Sequence, residues 1–228
     1  MRPRGGPAAG NPTIRRGGDH LAAEAALVQD RQAPDVIEVG VPFSDPIADG
    51  PVIQRAAERA LRSGTSLRKI LESVRILRTK TQIPLVLMVY YNSIHAMGLE
   101  RFCREAASAG VDGLIVPDMP PDEAGLLKGP AESAGLDLIF LLAPTSTAER
   151  MSYVARESQG FLYYVSTTGV TGGATAVSNE MLAHISHART TSQVPVAVGF
   201  GIALPEQARA LAGQVDGVIV GSALVRKI

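Results

Sequence analysis

Asp35-Val-Ile-Glu-Val-Gly-Val-Pro, residues 35–42, is the stretch that decides the fold of this 228-residue chain. It is a short run of mostly β-branched residues, and the polar loop Phe43-Ser-Asp-Pro-Ile-Ala-Asp-Gly separates it from a helical stretch that begins at Pro51. A short apolar run with little polar alternation is typical of a strand that is buried on both faces. The stretch therefore predicts one strand–loop–helix unit of a parallel α/β fold.

The same unit recurs along the rest of the chain. Further apolar runs begin at Leu85, Gly113, Leu138, Phe161, Val194 and Gly217. Helical patterns lie between them, over residues 67–79, 99–109, 121–134, 148–157, 179–189 and 205–212. Alternating strands and helices indicate either a doubly wound sheet or a barrel. We predict a single-domain α/β protein with a (β/α)8 TIM-barrel fold.

The two ends of the sequence depart from a complete barrel pattern. Gly5-Gly-Pro-Ala-Ala-Gly-Asn-Pro has no strand character, although a strand is expected there, ahead of a helix over residues 21–32. At the other end, residues 221–228 begin a helix that has no room to finish. We therefore expect a disordered or degenerate leader at residues 1–18 and a barrel domain at residues 19–228. With its first strand and last helix truncated, that domain should have low stability in isolation.

The composition indicates which kinds of partner and which cellular compartment to expect. Lys and Arg number 22 and Asp and Glu also number 22, which gives no reason to expect nucleic acid or an anionic membrane as a partner. The single cysteine, Cys103, lies in a helical pattern and is interpreted as a small core residue of a reducing compartment. No apolar run approaches the roughly 18 residues of a membrane span, so we expect a cytoplasmic protein. His184 and His187 form a helical pair without a third ligand, and no metal site is predicted.

Glu38 is the first candidate catalytic residue. Because side chains alternate along a strand, Ile37, Val39 and Val41 share one face, which should pack against helices, and Glu38 lies on the other. That face points into the barrel lumen near the rim where barrel enzymes carry their active sites. A carboxylate in the lumen is either half of a buried salt bridge or a catalytic acid/base, and burial there should raise its pKa.

The loop after this strand adds two carboxylates, Asp45 and Asp49. Asp-Pro and Asp-Gly are ordinary turn sequences, so each residue alone is explained by turn geometry. Both, however, directly follow a strand that already carries Glu38. Together the three acids could supply a proton donor, a proton acceptor and a hydrogen-bond acceptor around one cavity.

Glycine-containing loops follow the last three strands. They read Ser166-Thr-Thr-Gly-Val-Thr-Gly-Gly, Gly199-Phe-Gly-Ile and Gly221-Ser-Ala-Leu. Glycine permits close backbone approach, and backbone N–H groups at the start of a helix favour an anion. Barrel enzymes commonly bind a phosphate with the loops after strands 7 and 8. We therefore predict a substrate phosphate site at these loops.

The segment Ile37-Glu-Val-Gly-Val-Pro-Phe-Ser-Asp-Pro-Ile-Ala-Asp-Gly-Pro-Val-Ile-Gln closely resembles the signature of the tryptophan synthase α subunit family. The resemblance continues in register from about residue 34 to the C-terminus through Met88-Val-Tyr-Tyr-Asn, Val116-Pro-Asp-Met-Pro, Tyr163-Tyr-Val-Ser-Thr-Thr-Gly-Val-Thr-Gly, Val198-Gly-Phe-Gly-Ile and Val220-Gly-Ser-Ala. It implies a lyase of tryptophan biosynthesis. The implied reaction is retro-aldol cleavage of indole-3-glycerol phosphate to indole and glyceraldehyde 3-phosphate.

The resemblance also implies roles for individual residues. Glu38 matches the general acid/base, Asp49 the carboxylate that accepts the indole N–H, and Tyr163 a tyrosine near the reacting centre. Thr171 matches a lid residue that closes against Asp49, and Asp45 belongs to the loop on that side. The implied phosphate cradle consists of Gly172, Gly201, Gly221 and Ser222.

The family acts in an α2β2-type complex, which implies a pyridoxal-phosphate-dependent β subunit as the partner. Pro42, Asn92 and Asp118 match the side that contacts it, and no lysine here is placed for a Schiff base, so no cofactor is expected in this chain. Three alternatives remain open. The chain could be another phosphate-binding barrel of indole or histidine biosynthesis, a non-catalytic module that binds ligand or activates a β subunit, or a free-standing producer of indole.

Overall fold

The structure is a computed structural model that describes residues 34–166, 178–199, 202 and 204–227. Its strands are β1 (Ile37–Gly40), β2 (Leu85–Met88), β3 (Gly113–Ile115), β4 (Asp137–Ile139), β5 (Leu141–Leu142), β6 (Leu162–Val165), β7 (Val196–Gly199) and β8 (Gly217–Val218). Its helices are α1 (Pro51–Arg62), α2 (Leu67–Arg78), α3 (Tyr91–Met97), α4 (Leu99–Ala109), α5 (Gly125–Ala134), α6 (Ala148–Glu157), α7 (Asn179–Thr191), α8 (Pro205–Leu211) and α9 (Ser222–Val225). The predicted alternation of strands and helices is confirmed.

The strands form two parallel four-stranded sheets in the orders β1-β2-β3-β4 and β5-β6-β7-β8. β4 and β5 belong to one extended segment that Phe140 interrupts, so this segment pairs with β3 on one side and β6 on the other. Neighbours in space are thus neighbours in sequence, whereas a doubly wound sheet reverses its order. The last helix, α9, packs against the first, α1. This order and this closing contact are those of a barrel.

Each strand turns one face to the lumen and the other to the helices. Val86, Ile115, Ile139 and Tyr163 form the inner apolar cluster, while their chain neighbours on the opposite face join the larger outer core, among them Leu85, Leu87, Leu114, Leu138 and Tyr164. The register pairs Val86 with Gly113 and Glu38, which keeps like faces aligned across the sheet. In β2, β3 and β6 both faces are covered, which explains why these strands read as continuous apolar runs.

A half-buried ion pair joins two strands at the base of the barrel, the end where the strands begin. Arg78, the last residue of α2, contacts Asp112 at 2.5 Å, and the carboxylate of Asp112 accepts the backbone N–H of Leu85 at 2.8 Å. Arg78 also donates to the carbonyl oxygens of Gly110 and Ile83. The pair therefore ties the end of a helix to the first residues of β2 and β3.

The same arrangement recurs in the second sheet. Arg189 on α7 contacts Asp216 at 2.7 Å, and Asp216 accepts the backbone N–H of Val196 at 2.9 Å. The two sequences are alike, since Arg78-Thr-Lys-Thr-Gln-Ile-Pro-Leu and Arg189-Thr-Thr-Ser-Gln-Val-Pro-Val have the same spacing from the arginine to the strand. Both aspartates directly precede a glycine that begins the next strand. We call these two arrangements the base clamps.

The predicted helix boundaries agree with the structure to within two residues except at one helix start, and one helix was not predicted. The helix predicted to start at Pro121 begins at Gly125, because residues 121–124 form a turn. The helix α3 was not predicted; its first residues follow the strand end without a polar side-chain cap of their own, and the distant Asp118 accepts the backbone N–H of Tyr91 instead. Sequence patterns do not reveal such a tertiary cap.

Two further predictions concern the interior and the ends. Cys103 is fully buried, as predicted, and burial raises the pKa of its thiol to about 11. The predicted leader, the helix over residues 21–32 and the last residue lie outside the described residues. Among the helices that the structure describes, none combines the length and the apolar character needed to cross a membrane.

Candidate active site

Glu38 lies on β1 with its side chain toward the lumen, as the strand alternation predicts. Its neighbours Ile37 and Val39 pack against the outer core, whereas Val36 packs against the inner cluster. Desolvation by the surrounding protein, and secondarily the charge of Asp49, raise the pKa of Glu38 to about 7. Part of its surface nevertheless remains exposed to solvent, so the expectation of full burial in the lumen is corrected.

Asp49 lies in the loop between β1 and α1, which positions it beside Glu38. Gly50 is the N-cap of α1 and Pro51 its first residue, so the fixed φ of proline defines where the loop ends. Gln54 on the first turn donates to the backbone oxygen of Asp49 at 2.8 Å. Burial raises the pKa of Asp49, and a hydrogen bond from the Tyr90 hydroxyl opposes that rise.

The salt-bridge alternative for Glu38 finds no support in the described part of the chain. The ion pairs found there involve other carboxylates, and neither Glu38 nor Asp49 contacts an arginine or lysine within that part. Burial instead raises the proton affinity of both carboxyl groups, and the charge of Asp49 raises that of Glu38 further. A perturbed pair of this kind at a barrel rim is the arrangement of a proton-transfer site.

Tyr163 on β6 belongs to the same cavity. It is buried in the inner cluster, and its pKa is raised well above the usual value by burial and then by the charges of Glu38 and Asp49. Gly199 on the neighbouring strand makes room for it, because a Cβ atom there would lie 2.4 Å from the Tyr163 hydroxyl oxygen. A side chain at residue 199 would therefore displace the tyrosine from its place facing the two acids.

The other predicted loop residues lie at the same rim but have different surroundings. Asp45 is exposed and accepts a hydrogen bond from Ser44 at 2.5 Å. Pro42 is half-buried and Asn92 is exposed on α3. Asp118, predicted for the partner interface, accepts the backbone N–H of Tyr91 at 2.9 Å and so also has a structural role.

Only part of the predicted phosphate cradle falls in the described residues. Gly221 is the N-cap of α9 and Ser222 its first residue, with the exposed Gly221 backbone at the rim. Since the first N–H groups of a helix have no intrahelical acceptor, this end can receive an anion. Thr171, Gly172 and Gly201 lie outside the described residues.

The described residues contain no cluster of potential metal ligands, and His184 has a structural role. No group of three or more potential metal ligands was found among those residues. His184 lies between the Tyr164 hydroxyl, 3.0 Å from its Nδ1, and the Ser146 carbonyl oxygen, 3.1 Å from its Nε2. It therefore stabilises the packing of α7 on the outer face of the barrel.

Sequence reasoning underestimated Tyr90. The residue is buried, yet its hydroxyl contacts Asp49. The available signal was its position directly after a strand, where barrel enzymes place functional side chains. No periodicity could show that its hydroxyl reaches a residue 41 positions away.

The fold and the site are those of a (β/α)8 barrel that carries two carboxyl groups of raised pKa at its rim. The family model described as "Tryptophan synthase alpha chain" matches residues 8–228, and the chain belongs to this family. An alpha chain from Geobacter sp. (strain M21) is 55% identical over 203 residues, which cover 89% of this chain and 76% of the relative. One from Prochlorococcus marinus (strain MIT 9313) is 47% identical over 96% of this chain and 78% of the relative.

Solved structures of tryptophan synthases match the fold. A Mycobacterium tuberculosis tryptophan synthase structure has a TM-score of 0.79 at 44% identity, covering 90% of this chain and 78% of the matched one. A chain of the α2β2 complex from Pyrococcus furiosus has a TM-score of 0.80 at 36% identity, covering 92% and 86%. The predicted family and the predicted TIM barrel are thus confirmed.

Proposed function

We propose that this chain cleaves indole-3-glycerol phosphate to indole and glyceraldehyde 3-phosphate, the α reaction of L-tryptophan biosynthesis, with Glu38, Asp49 and Tyr163 at the reacting centre. Family membership supports the reaction class. The observation that carries the residue assignment is the pKa of about 7 for Glu38, which burial and the neighbouring Asp49 bring close to neutrality. A carboxyl group that titrates near the working pH can both give and take a proton.

Glu38 would act twice in one turnover. Protonated, it gives its proton to the indole ring carbon that bears the glycerol chain, and the ring becomes a cationic indolenine. As a carboxylate, it then takes the proton of the adjoining hydroxyl group while the carbon–carbon bond breaks. The electron pair of that bond returns to the ring, a carbonyl group forms on the released phosphosugar, and Glu38 is protonated again. Protons and electrons balance without an oxidant or a reductant.

Asp49 would accept the indole N–H and stabilise the cationic intermediate. Its pKa is raised by burial, yet the Tyr90 hydroxyl donates to it and favours the ionised form that this role requires. Tyr163 faces both acids from β6 and would line the indole side of the cavity. A carboxylate beside the developing positive charge is electrostatic stabilisation, commonly the largest single contribution to catalysis.

The phosphate of the substrate would lie at the opposite side of the rim. Gly221 and Ser222, at the start of α9, offer backbone N–H groups and a hydroxyl. Gly172, Gly201 and the lid residue Thr171 are assigned by the resemblance, with Asp45 on the facing loop. Lid closure would keep water away from the intermediate.

We further propose that the chain works with a tryptophan synthase β subunit, as an α2β2 complex from Pyrococcus furiosus does. Pro42, Asn92 and Asp118 are the assigned contacts. Two large apolar side chains at the same rim, Ile47 at 76% exposure and Leu126 at 74%, support a protein-binding surface there. Pyridoxal phosphate would belong to the β subunit, and the complex would work in the cytoplasm.

The deciding experiment measures indole release from indole-3-glycerol phosphate by the full-length chain, alone and with a β subunit. Glu38→Gln and Asp49→Asn should abolish most of the activity, whereas Glu72→Gln, on the exposed face of α2, should keep it. Activity only with the β subunit supports the partner, and activity without it supports a free-standing indole producer. No release under either condition would favour the non-catalytic alternative. Full activity of Glu38→Gln would overturn the mechanism.

A further inference from the structure

Tyr90 lies where β2 ends and α3 begins, at the rim that carries the two acids. It is the N-cap residue of α3, with extended backbone angles, and only 3% of it is exposed. The strand fixes it on one side, since the N–H of Val89 bonds the Ile115 carbonyl oxygen at 2.9 Å. On the other side the N–H of Tyr91 bonds Asp118. Its backbone is therefore held from two directions.

The Tyr90 side chain contacts the loop between β1 and α1 at three points. Its hydroxyl donates to Oδ2 of Asp49 at 3.1 Å and accepts the backbone N–H of Ala48 at 3.0 Å. Its ring stacks on Phe43, with centroids 5.0 Å apart and planes inclined by 23°. One rigid side chain thus spans the loop from its start to Asp49. A hydroxyl that donates and accepts at once has a single favourable orientation.

We propose that Tyr90 is a positioning residue for Asp49: its hydroxyl holds one carboxylate oxygen in place and leaves the other, Oδ1, to the indole N–H. The inference rests on the proposed function and deepens it. Within the described part of the chain no hydrogen bond to Oδ1 was found, so this oxygen is open to a donor. Preorganised acceptors are effective in catalysis because they need no reorientation as charge develops.

Electrostatics support this geometry. Burial raises the pKa of Asp49, and the hydrogen bond from Tyr90 works against that rise, so it favours the carboxylate. Burial and the charges of Asp49 and Asp118 raise the pKa of the Tyr90 hydroxyl, which keeps its proton as a donor throughout the working range. The other titratable groups that face this pair are Glu38 on β1 and Tyr163 on β6.

The test compares Tyr90→Phe with the parent in the full-length chain, using indole-3-glycerol phosphate. We expect kcat to fall about tenfold or more, as for other small losses of alignment at a reacting centre, with little change in KM. The acidic limb of the kcat/KM profile should move to higher pH, because Asp49 loses the bond that favours its ionised form. Tyr91→Phe is the matched control: its ring lies tilted against His95, with centroids 5.8 Å apart, and its rate and pH profile should equal the parent's.

A double-variant cycle separates positioning from a general loss of packing. Once Asp49 is replaced by Asn, adding Tyr90→Phe should cost little further activity, because the charged acceptor has already gone. If the two losses simply multiply, or if Tyr90→Phe keeps the parent's rate and pH limb, the positioning role is wrong. A melting temperature close to the parent's would show that the variant folds.

A second readout does not depend on catalysis. The pKa of the Asp49 carboxyl, measured by carbon-13 NMR in the substrate-free chain, should be higher in Tyr90→Phe than in the parent. An equal pKa would overturn the positioning role even if the rate falls. If the parent itself releases no indole but the NMR shift occurs, the proposed function fails while the Tyr90–Asp49 contact stands.

Discussion

Two pairs of carboxylates, one pair at each end of the barrel, have opposite surroundings. At the base, Asp112 and Asp216 each receive an arginine and a backbone N–H, so these two negative charges are matched by donors. Their neighbour Asp137, at the start of β4, differs from them, since burial and the charge of Asp112 raise its pKa. At the rim, Glu38 and Asp49 face each other without a cation in the described part of the chain, and the pKa of each is raised by burial. The base arrangement stabilises the fold. The rim arrangement is electrostatically unfavourable for the substrate-free protein, and its carboxyl groups are available to interact with a substrate.

This difference indicates which carboxylates serve stability and which serve activity. Removing a carboxylate that accepts two or more hydrogen bonds from fixed donors lowers the stability of the folded protein. Removing a carboxylate whose pKa is raised in the folded state costs the protein little stability, and such a replacement can even stabilise the fold at the cost of function. Exchanging the two kinds of carboxylate for neutral residues therefore separates stability from activity.

The largest effect is expected at the rim. Glu38→Gln should lower kcat for indole release by about a thousandfold, within the usual contribution of general acid/base catalysis. Its free energy of unfolding, from urea titration, should stay unchanged or rise, because a desolvated charge beside Asp49 has been removed. A variant that loses activity and stability together would mean that Glu38 holds the fold, and the contrast with the base would fail.

The next effect is expected at the first base clamp. Asp112→Ala should lower the free energy of unfolding by about 3 kcal/mol, because it removes the ion-pair partner of Arg78 and leaves the Leu85 N–H without its acceptor. The kcat of the folded protein should not change. Asp112→Asn separates the two contributions, since the amide oxygen can still accept from Leu85 while the ion pair is lost, and it should be the less destabilised variant. Equal losses in the two variants would assign the whole effect to the ion pair.

Much of the fold could be predicted because its strands are buried on both faces. A run such as Leu85-Val-Leu-Met has no other stable environment than the interior, and helix α4 was predicted with its correct ends from its apolar spacing. The lumen face of Glu38 followed from simple alternation. These features depend on neighbours in sequence, and local patterns record them.

What could not be predicted depends on partners far apart in sequence. Helix α3 has its cap supplied by Asp118, and the hydroxyl of Tyr90 reaches Asp49 across the loop. The solvent-open position of Glu38 depends on how the strands close around the lumen, which alternation does not specify. The base clamps did leave a signal, the repeated spacing from Arg78 to Leu85 and from Arg189 to Val196, which sequence reasoning overlooked.

A smaller effect is expected at the second base clamp. Asp216→Ala should lower the free energy of unfolding by about 1–2 kcal/mol, because Arg189 is 36% exposed and water replaces part of the interaction, whereas Arg78 is 21% exposed. The backbone N–H of Val196 still loses its acceptor. Urea titration of the two alanine variants side by side tests this order. A larger loss at Asp216 would show that solvent exposure does not rank the two clamps.

The last expected effect is a pH dependence of stability that Glu38 at the rim should produce. The pKa of Glu38 is raised from 4.5 to about 7, so between these pH values the folded chain holds a proton that the unfolded chain has released. The free energy of unfolding must then fall as the pH rises through this interval, and the contribution is constant below and above it. Glu38→Gln removes the titrating group.

The stability difference between Glu38→Gln and the parent should therefore grow in favour of the variant from about pH 4.5 to about pH 7 and then level off. Urea midpoints measured across this interval test the sign directly. Asp49→Asn should change in the same direction, since burial also raises the pKa of Asp49. A difference that is independent of pH would mean that the lumen solvates Glu38 as well as bulk water does. The charge at the rim would then cost the fold nothing, and the two ends of the barrel would not differ in the way proposed.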